Sequence, residues 1–169
     1  MELIEGPMRW RDVGELECSI ARTLSVIGDR WTLLVLRNAF LGTRRFDDFQ
    51  AQLGVTRHRL ADRLAKLVEH GVLRRERYQD NPPREEYRLT EKGRDLYGVI
   101  ATLAGWGDRW MAGEQGAPVE RVHRRCGRVA ALRLTCEHCG EPVTARDMEA
   151  RPGPGLRRGR RAMETRRTS

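Results

Sequence analysis

Apolar residues recur at helical spacing from residue 18 onward. Ile20, Leu24 and Ile27 share one face, Gly28-Asp29 interrupts the run, and Trp31, Leu34, Val35 and Phe40 resume it in a second helix that ends at Gly42. The stretch TRRFDDFQAQLGV predicts a short helix over about 46–52, closed by Gly54. Thr56 is placed to N-cap the next helix, about 57–70, which Gly71 closes. A short helix, a glycine-containing turn and a longer helix form a helix-turn-helix pattern.

After Gly71 the period changes to two. VLRRERYQ and REEYRLT alternate apolar or aromatic with charged residues around QDNPPR, so residues 72–89 predict a β-hairpin whose tip holds Asn81-Pro82-Pro83. Thr90-Glu91 restarts a helix, and Leu96, Val99, Ile100, Leu103, Trp106 and Trp110 carry its apolar positions to about Met111. Gly116-Ala117-Pro118 reads as a linker, followed by a compact Cys/His segment over 119–145. The expected fold is therefore mainly α with a small β-hairpin wing, a winged helix-turn-helix, plus a small C-terminal zinc-ribbon-like β module. The expected domains are 1–117, 118–145 and a basic, disordered tail over 146–169.

Charge divides unevenly along the 169 residues. The chain carries a net +8, and residues 118–169, with 13 basic and 6 acidic side chains, hold +7 of it. Thirty of the 32 basic residues are Arg, and the two lysines are Lys66 and Lys92. A basic chain of this size points to an anionic partner, nucleic acid first. No run approaches the roughly 18 apolar residues of a membrane span, and the N-terminus lacks an apolar signal core, so the expected location is the cytoplasm, on the nucleoid when DNA-bound.

On a helical wheel for residues 57–70, Leu60, Leu64, Leu67 and Val68 fall on one face, while His58, Arg59, Asp62 and Lys66 point the other way. An inserted helix reads bases mainly from its N-terminal turns. His58, Arg59 and Asp62 are therefore the base-edge candidates: Arg59 suits guanine O6/N7, and Asp62 suits a cytosine amine or the orienting of a neighbouring Arg. Arg57, Arg63 and Lys66 lie toward the flanks, where phosphate contacts belong, with Thr56 at the helix start. Arg44 and Arg45 precede the short helix and suit backbone phosphates; Arg75, Arg77 and Arg84 place charge along the hairpin, against the minor groove or its phosphates.

These segments resemble a known family. CSIARTLSVIGDRWTLLVLRNAFLGTRRFDDFQ, LADRLAKLVEHGVLRRERY, PPREEYRLTEKGRDL and LAGWGDRW are similar, in that order, to the HxlR-type winged helix-turn-helix regulators of bacteria, over about 18–112. The resemblance implies a homodimer that binds inverted-repeat operator double-stranded DNA and controls nearby genes. It also implies dimerisation through about 18–27 and 91–112, a seam that Trp106 and Trp110 fit; burial in the monomer core is the other reading of those two residues.

Cys18 stands at the position resembling the N-terminal cysteine that several members use to sense oxidants, quinones or aldehydes, and a helix start favours a thiolate. Ser19 departs from the proline that usually follows, and Glu15 and Glu17 oppose a thiolate. Packing as a small hydrophobe is the alternative role for Cys18.

His123-Arg-Arg-Cys126-Gly127 and Cys136-Glu-His-Cys139-Gly140 repeat one pattern, a donor pair two residues apart with glycine after it. Zinc takes four tetrahedral ligands, and such pairs present two from each turn. His123, Cys126, Cys136 and Cys139 are thus the candidate ligands of one structural zinc ion per chain, with His138 able to stand in for His123. Val129, Ala131, Leu132 and Leu134 supply an expected strand between the pairs. Free thiols or a Cys136–Cys139 disulfide are the alternatives, disfavoured in a reducing compartment.

The function these features favour is a homodimeric DNA-binding transcriptional regulator, with a small-molecule effector as a further partner. A protein-interaction adaptor using the zinc module and basic tail is the competing class. No paired nucleophile and base, no phosphate-cradling glycine loop and no open metal position speaks for an enzyme.

Overall fold

The computed structural model describes residues 9–156; most of the basic tail expected to be disordered, residues 157–169, lies outside the described residues, as do residues 1–8. The chain separates into two compact units that divide between Met111 and Ala112.

In the first unit a 3-10 turn over Trp10–Glu15 leads to α1 (Ser19–Ile27), α2 (Arg30–Phe40), α3 (Phe46–Leu53) and α4 (Arg57–Glu69). A hairpin of β1 (Leu73–Gln79) and β2 (Arg84–Leu89) follows, then α5 (Glu91–Asp95) and α6 (Tyr97–Met111). Leu60, Leu64 and Leu67 of α4 are fully buried. They meet Val35 and Leu36 of α2, Phe49 of α3, and Val72 and Leu73 at the base of the hairpin. Each such side chain contributes about 1.5–3 kcal/mol by leaving water. With α4's apolar side fully used in this core, its opposite side is left to solvent.

The hairpin is antiparallel, pairing Leu73 with Leu89, Arg75 with Tyr87 and Arg77 with Glu85, with an irregularity between Arg77 and Gln79. Tyr87 N–H donates to Arg44 O (2.8 Å), which fixes the wing to the segment ahead of α3. The run Thr90-Glu-Lys-Gly93 docks the following helix. Thr90 Oγ1 accepts from Gly93 N–H (3.0 Å) and donates to Gly71 O (2.6 Å), and Lys92 Nζ donates to His70 O at the end of α4 (2.8 Å). A Cβ on Gly93 would collide with Val72 O, so only glycine permits this approach.

The single helix expected from Thr90 to Met111 is two. Leu96 N–H bonds back three residues to Gly93 O (3.2 Å), and α6 begins afresh at Tyr97. α5 is held by the α4–β1 junction, whereas α6 packs on α2, so the axis breaks between them.

The second unit holds a 3-10 turn, Gly113–Gln115, and a two-stranded pair of β3 (Val122–His123) and β4 (Arg128–Val129). The longer strand expected through Leu134 does not form: Ala131, Leu132 and Leu134 lie outside the ladder and are exposed, having no core to pack on. No described residue of 112–156 is buried.

Candidate nucleic-acid interface

Thr56 is the N-cap of α4 with extended backbone, yet its side chain makes no capping hydrogen bond and is exposed. The first turn thus offers free N–H groups and the positive helix end to an anion. Arg57, His58 and Arg59 follow, all exposed. His58 Nε2 lies 3.5 Å from Asp62 Oδ2, one turn on. Arg57 sits over the Phe46 ring at 4.6 Å and 3.5 Å from Asp47, a surface pair of little net worth. Arg59 has no ion-pair partner among the described residues.

Arg63 and Lys66, expected on flanking phosphates, are turned inward instead. Arg63 Nε lies 3.3 Å from Asp29 Oδ1 in a half-buried pair. That carboxylate caps α2, accepting from Trp31 N–H (3.0 Å) and Thr32 N–H (3.2 Å). Lys66 Nζ donates to Ser25 O at the end of α1 (2.6 Å). Both lysines of the chain therefore serve helix C-termini, a favourable place for a cation. The link from Asp29 to Arg63 was not anticipated from the sequence; an Asp directly ahead of a helix is the cap signature that could have found it.

The wing carries the rest of the charge. Arg45 stacks on Tyr78 at 4.8 Å, and both line an open depression of about 410 Å³ with Phe46, Asp48, Arg84 and Glu85. Arg45 and Arg84, far apart in sequence, are thereby brought together between α3 and the wing tip. Arg44 is exposed beside them. Arg75 reaches Glu85 (3.8 Å) and Arg77 reaches Asp80 (3.6 Å), both at exposed pairs that a phosphate can displace. On the other hairpin face Arg88 joins Glu76 (2.7 Å) and Glu86 (2.6 Å). The Arg74 hydrogen bond, followed by the nearby charges of Arg74, Arg88 and Arg44, holds the Glu76 carboxyl below its ordinary value.

Cys18 is the N-cap of α1, exposed and free, and accepts no capping hydrogen bond through its side chain. The apolar positions of α1 divide: Ile27 and Ala21 are buried, while Ile20 is 71% exposed. On α6 only Ala101 is buried, and Val99, Leu103, Trp106 (59%) and Trp110 (64%) form an exposed stripe on the opposite side. The core reading of the two tryptophans is thus excluded for the monomer.

In the second unit each donor pair forms its turn. Gly127 N–H donates to His123 O and Gly140 N–H to Cys136 O, both at 2.8 Å. His123 Nδ1 lies 3.3 Å from Cys126 Sγ. Backbone N–H groups of Cys139 and His138, and the Cys139 side chain, hold the Cys136 thiol below its ordinary value. The two pairs are not gathered: no cluster of three or more His, Cys, Asp or Glu suited to a metal occurs among the described residues. No helix among them is long and apolar enough to cross a membrane.

Comparison with known proteins extends this description. The chain is 48% identical over 139 residues to the HTH-type transcriptional regulator Rv3095 of Mycobacterium tuberculosis, covering 82% of this chain and 88% of that protein. A match of 139 residues in a chain of 169 spans residues 31–139 wherever it begins. The crystal structure of PA1607, assigned as a transcription factor, superposes with a TM-score of 0.75 at 35% identity, over 83% of this chain and 98% of that one. The redox regulator HypR in its oxidised form superposes at 0.51 with 33% identity, over 54% of this chain and 96% of HypR. Residues 26–115 match the HxlR-like helix-turn-helix family. A helix-turn-helix with a wing, an exposed basic first turn on α4 and these matches agree: the chain belongs to the HxlR-like helix-turn-helix family of DNA-binding transcriptional regulators and is not an enzyme.

Proposed function

We propose that the protein is a homodimeric regulator of inverted-repeat operator DNA, acting in the cytoplasm on the nucleoid. The first turns of α4 enter the major groove, and the wing lies on the adjacent backbone. The observation that carries this reading is Arg59, exposed and without an ion-pair partner among the described residues, beside His58 on a helix whose other side is committed to the core. Arg59 and His58 read base edges; Thr56, Arg57, Arg44, Arg45, Arg75, Arg77 and Arg84 hold phosphates. A second copy seated on the α6 stripe and the exposed residues of α1 would remove Trp106 and Trp110 from water and set two α4 helices in successive grooves, about 34–36 Å apart.

The test is binding of the full chain to duplex DNA from upstream of its own gene, against a scrambled duplex, at two salt concentrations. A preference of about 10³ or more supports a sequence-specific regulator. Equal, salt-sensitive binding to both duplexes contradicts operator reading, and no binding to either shifts the role to a protein-interaction adaptor.

A second reading concerns control. The exposed, free N-cap thiol of Cys18, together with the likeness to a redox regulator, supports oxidant or electrophile sensing. The reading requires that oxidant weaken or strengthen operator binding in the native chain and have no effect in Cys18→Ser.

A further inference from the structure

The family match ends at residue 115 and leaves the Cys/His segment without a role. That segment is also without a core, since no described residue of 112–156 is buried. A chain of this length with no apolar interior needs another source of order, and disulfides or a metal are the usual ones.

Its two turns are built alike. In each, the first donor sits where a strand or bridge ends, the second follows after two residues, and a glycine with positive φ (Gly127 at 67°, Gly140 at 74°) returns its N–H to the first donor's carbonyl at 2.8 Å. Around the first turn, β3 pairs with β4. Around the second, Thr135 bridges Pro142, and Cys136 N–H donates to Glu141 O (2.9 Å). Two hairpins of one design thus each present a donor pair at the tip.

The first half already has the spacing of a shared ion. Zinc–nitrogen and zinc–sulfur bonds of about 2.0–2.1 and 2.3 Å at a tetrahedral angle put the two ligand atoms about 3.6 Å apart. His123 Nδ1 and Cys126 Sγ are 3.3 Å apart. Nδ1 is the ring nitrogen that faces the sulfur.

We propose that His123 through Nδ1, with Cys126, Cys136 and Cys139, forms a structural zinc site, and that the ion draws the two hairpins together and supplies the order that the missing core does not. His138 lies inside the second turn, between Cys136 and Cys139. With four protein ligands the ion has no open position, so its role is folding and not catalysis. This inference does not rest on DNA binding, and its test involves none.

The full chain, purified under reducing conditions without chelator, is analysed for zinc, and the apoprotein is reloaded with Co²⁺. The expected result is one zinc per chain, released when a mercurial caps the thiols, and a tetrahedral cobalt spectrum with a thiolate charge-transfer band. Cys126→Ser and Cys136→Ser should each weaken zinc binding by more than about 100-fold, beyond what loss of an outer-shell contact costs. Cys18→Ser should leave it unchanged. The helical far-UV signal reports separately that residues 19–111 remain folded. A reduced chain that holds no zinc, a zinc content unchanged in Cys136→Ser/Cys139→Ser, or a Cys136–Cys139 disulfide in protein kept reduced would each overturn the proposal.

Discussion

At the scale of single residues, the arginines and lysines near α4 do different work, and salt dependence separates them. Arg59→Ala should relax preference at particular bases, by about 1–3 kcal/mol for a lost bidentate contact. Arg77→Ala should weaken all duplexes alike and lower the slope of log K against log salt by about 1. Lys66→Ala should leave that slope unchanged, because Nζ is bonded to Ser25 O and not free for phosphate, and should instead cost about 1 kcal/mol of stability. Equilibrium denaturation beside a salt titration of binding distinguishes the three variants. Asp29 joins two tasks, capping α2 and meeting Arg63. Its replacement by Ala should cost about 1–2 kcal/mol from the cap alone. The Arg30-Trp31-Thr32-Leu33 that follows Gly28-Asp29 is thus the first turn of a helix whose cap also meets α4 through Arg63.

At the scale of elements, the wing and the helix after it depend on close, specific contacts. Gly93→Ala forces a methyl group onto Val72 O and should destabilise the first unit by about 1–3 kcal/mol, read as a lower denaturation midpoint. On the wing, the Glu76 carboxyl titrates below its ordinary value. A group lowered on folding stabilises above its unfolded value, about 4.3, and loses that contribution as pH falls through the lowered folded value. Carboxyl NMR should therefore show Glu76 ionised after most glutamates have protonated, and Arg74→Ala should bring it back toward the ordinary range. Sequence alternation identified this hairpin but not its charge pairing. Arg74 and Arg88 face each other across the strands, as do Glu76 and Glu86; Arg74 meets Glu76 and Arg88 meets Glu86 within their own strands, and the register adds the cross-strand pair Arg88–Glu76.

At the scale of the whole molecule, α6 leaves an apolar stripe exposed to solvent. Two exposed tryptophans with Val99 and Leu103 on one face are the surface on which the proposed homodimer rests. If the proposed homodimer forms there, Trp106→Glu/Trp110→Glu should give a monomer by sedimentation equilibrium, with α2–α4 still folded and operator affinity lost, because a single α4 helix contacts half a site. A dimer that persists in this variant would place the subunit seam elsewhere. In the second unit Leu132 and Leu134, which lie between the two donor pairs, are exposed as well.

The elements whose periodicity is local were legible in the sequence by itself. α3, α4 and the hairpin lie within a residue or two of their expected bounds, because leucine spacing, glycine stops and strand alternation are set within one turn or one strand. The opposed faces of α4, with Leu60, Leu64 and Leu67 inward and His58 and Arg59 outward, followed from the same helical geometry. What required tertiary structure was the direction taken by long side chains. Arg63 and Lys66 lie at the flank of the wheel, where a flexible stem reaches either DNA or a neighbouring helix, and only the positions of Asp29 and Ser25 decide which. The break at Leu96 and the exposure of Trp106 and Trp110 belong to the same class: an apolar helix looks the same in sequence whether its stripe meets the core of its own chain or the open surface, and the packing of α6 through Ala101 settles it.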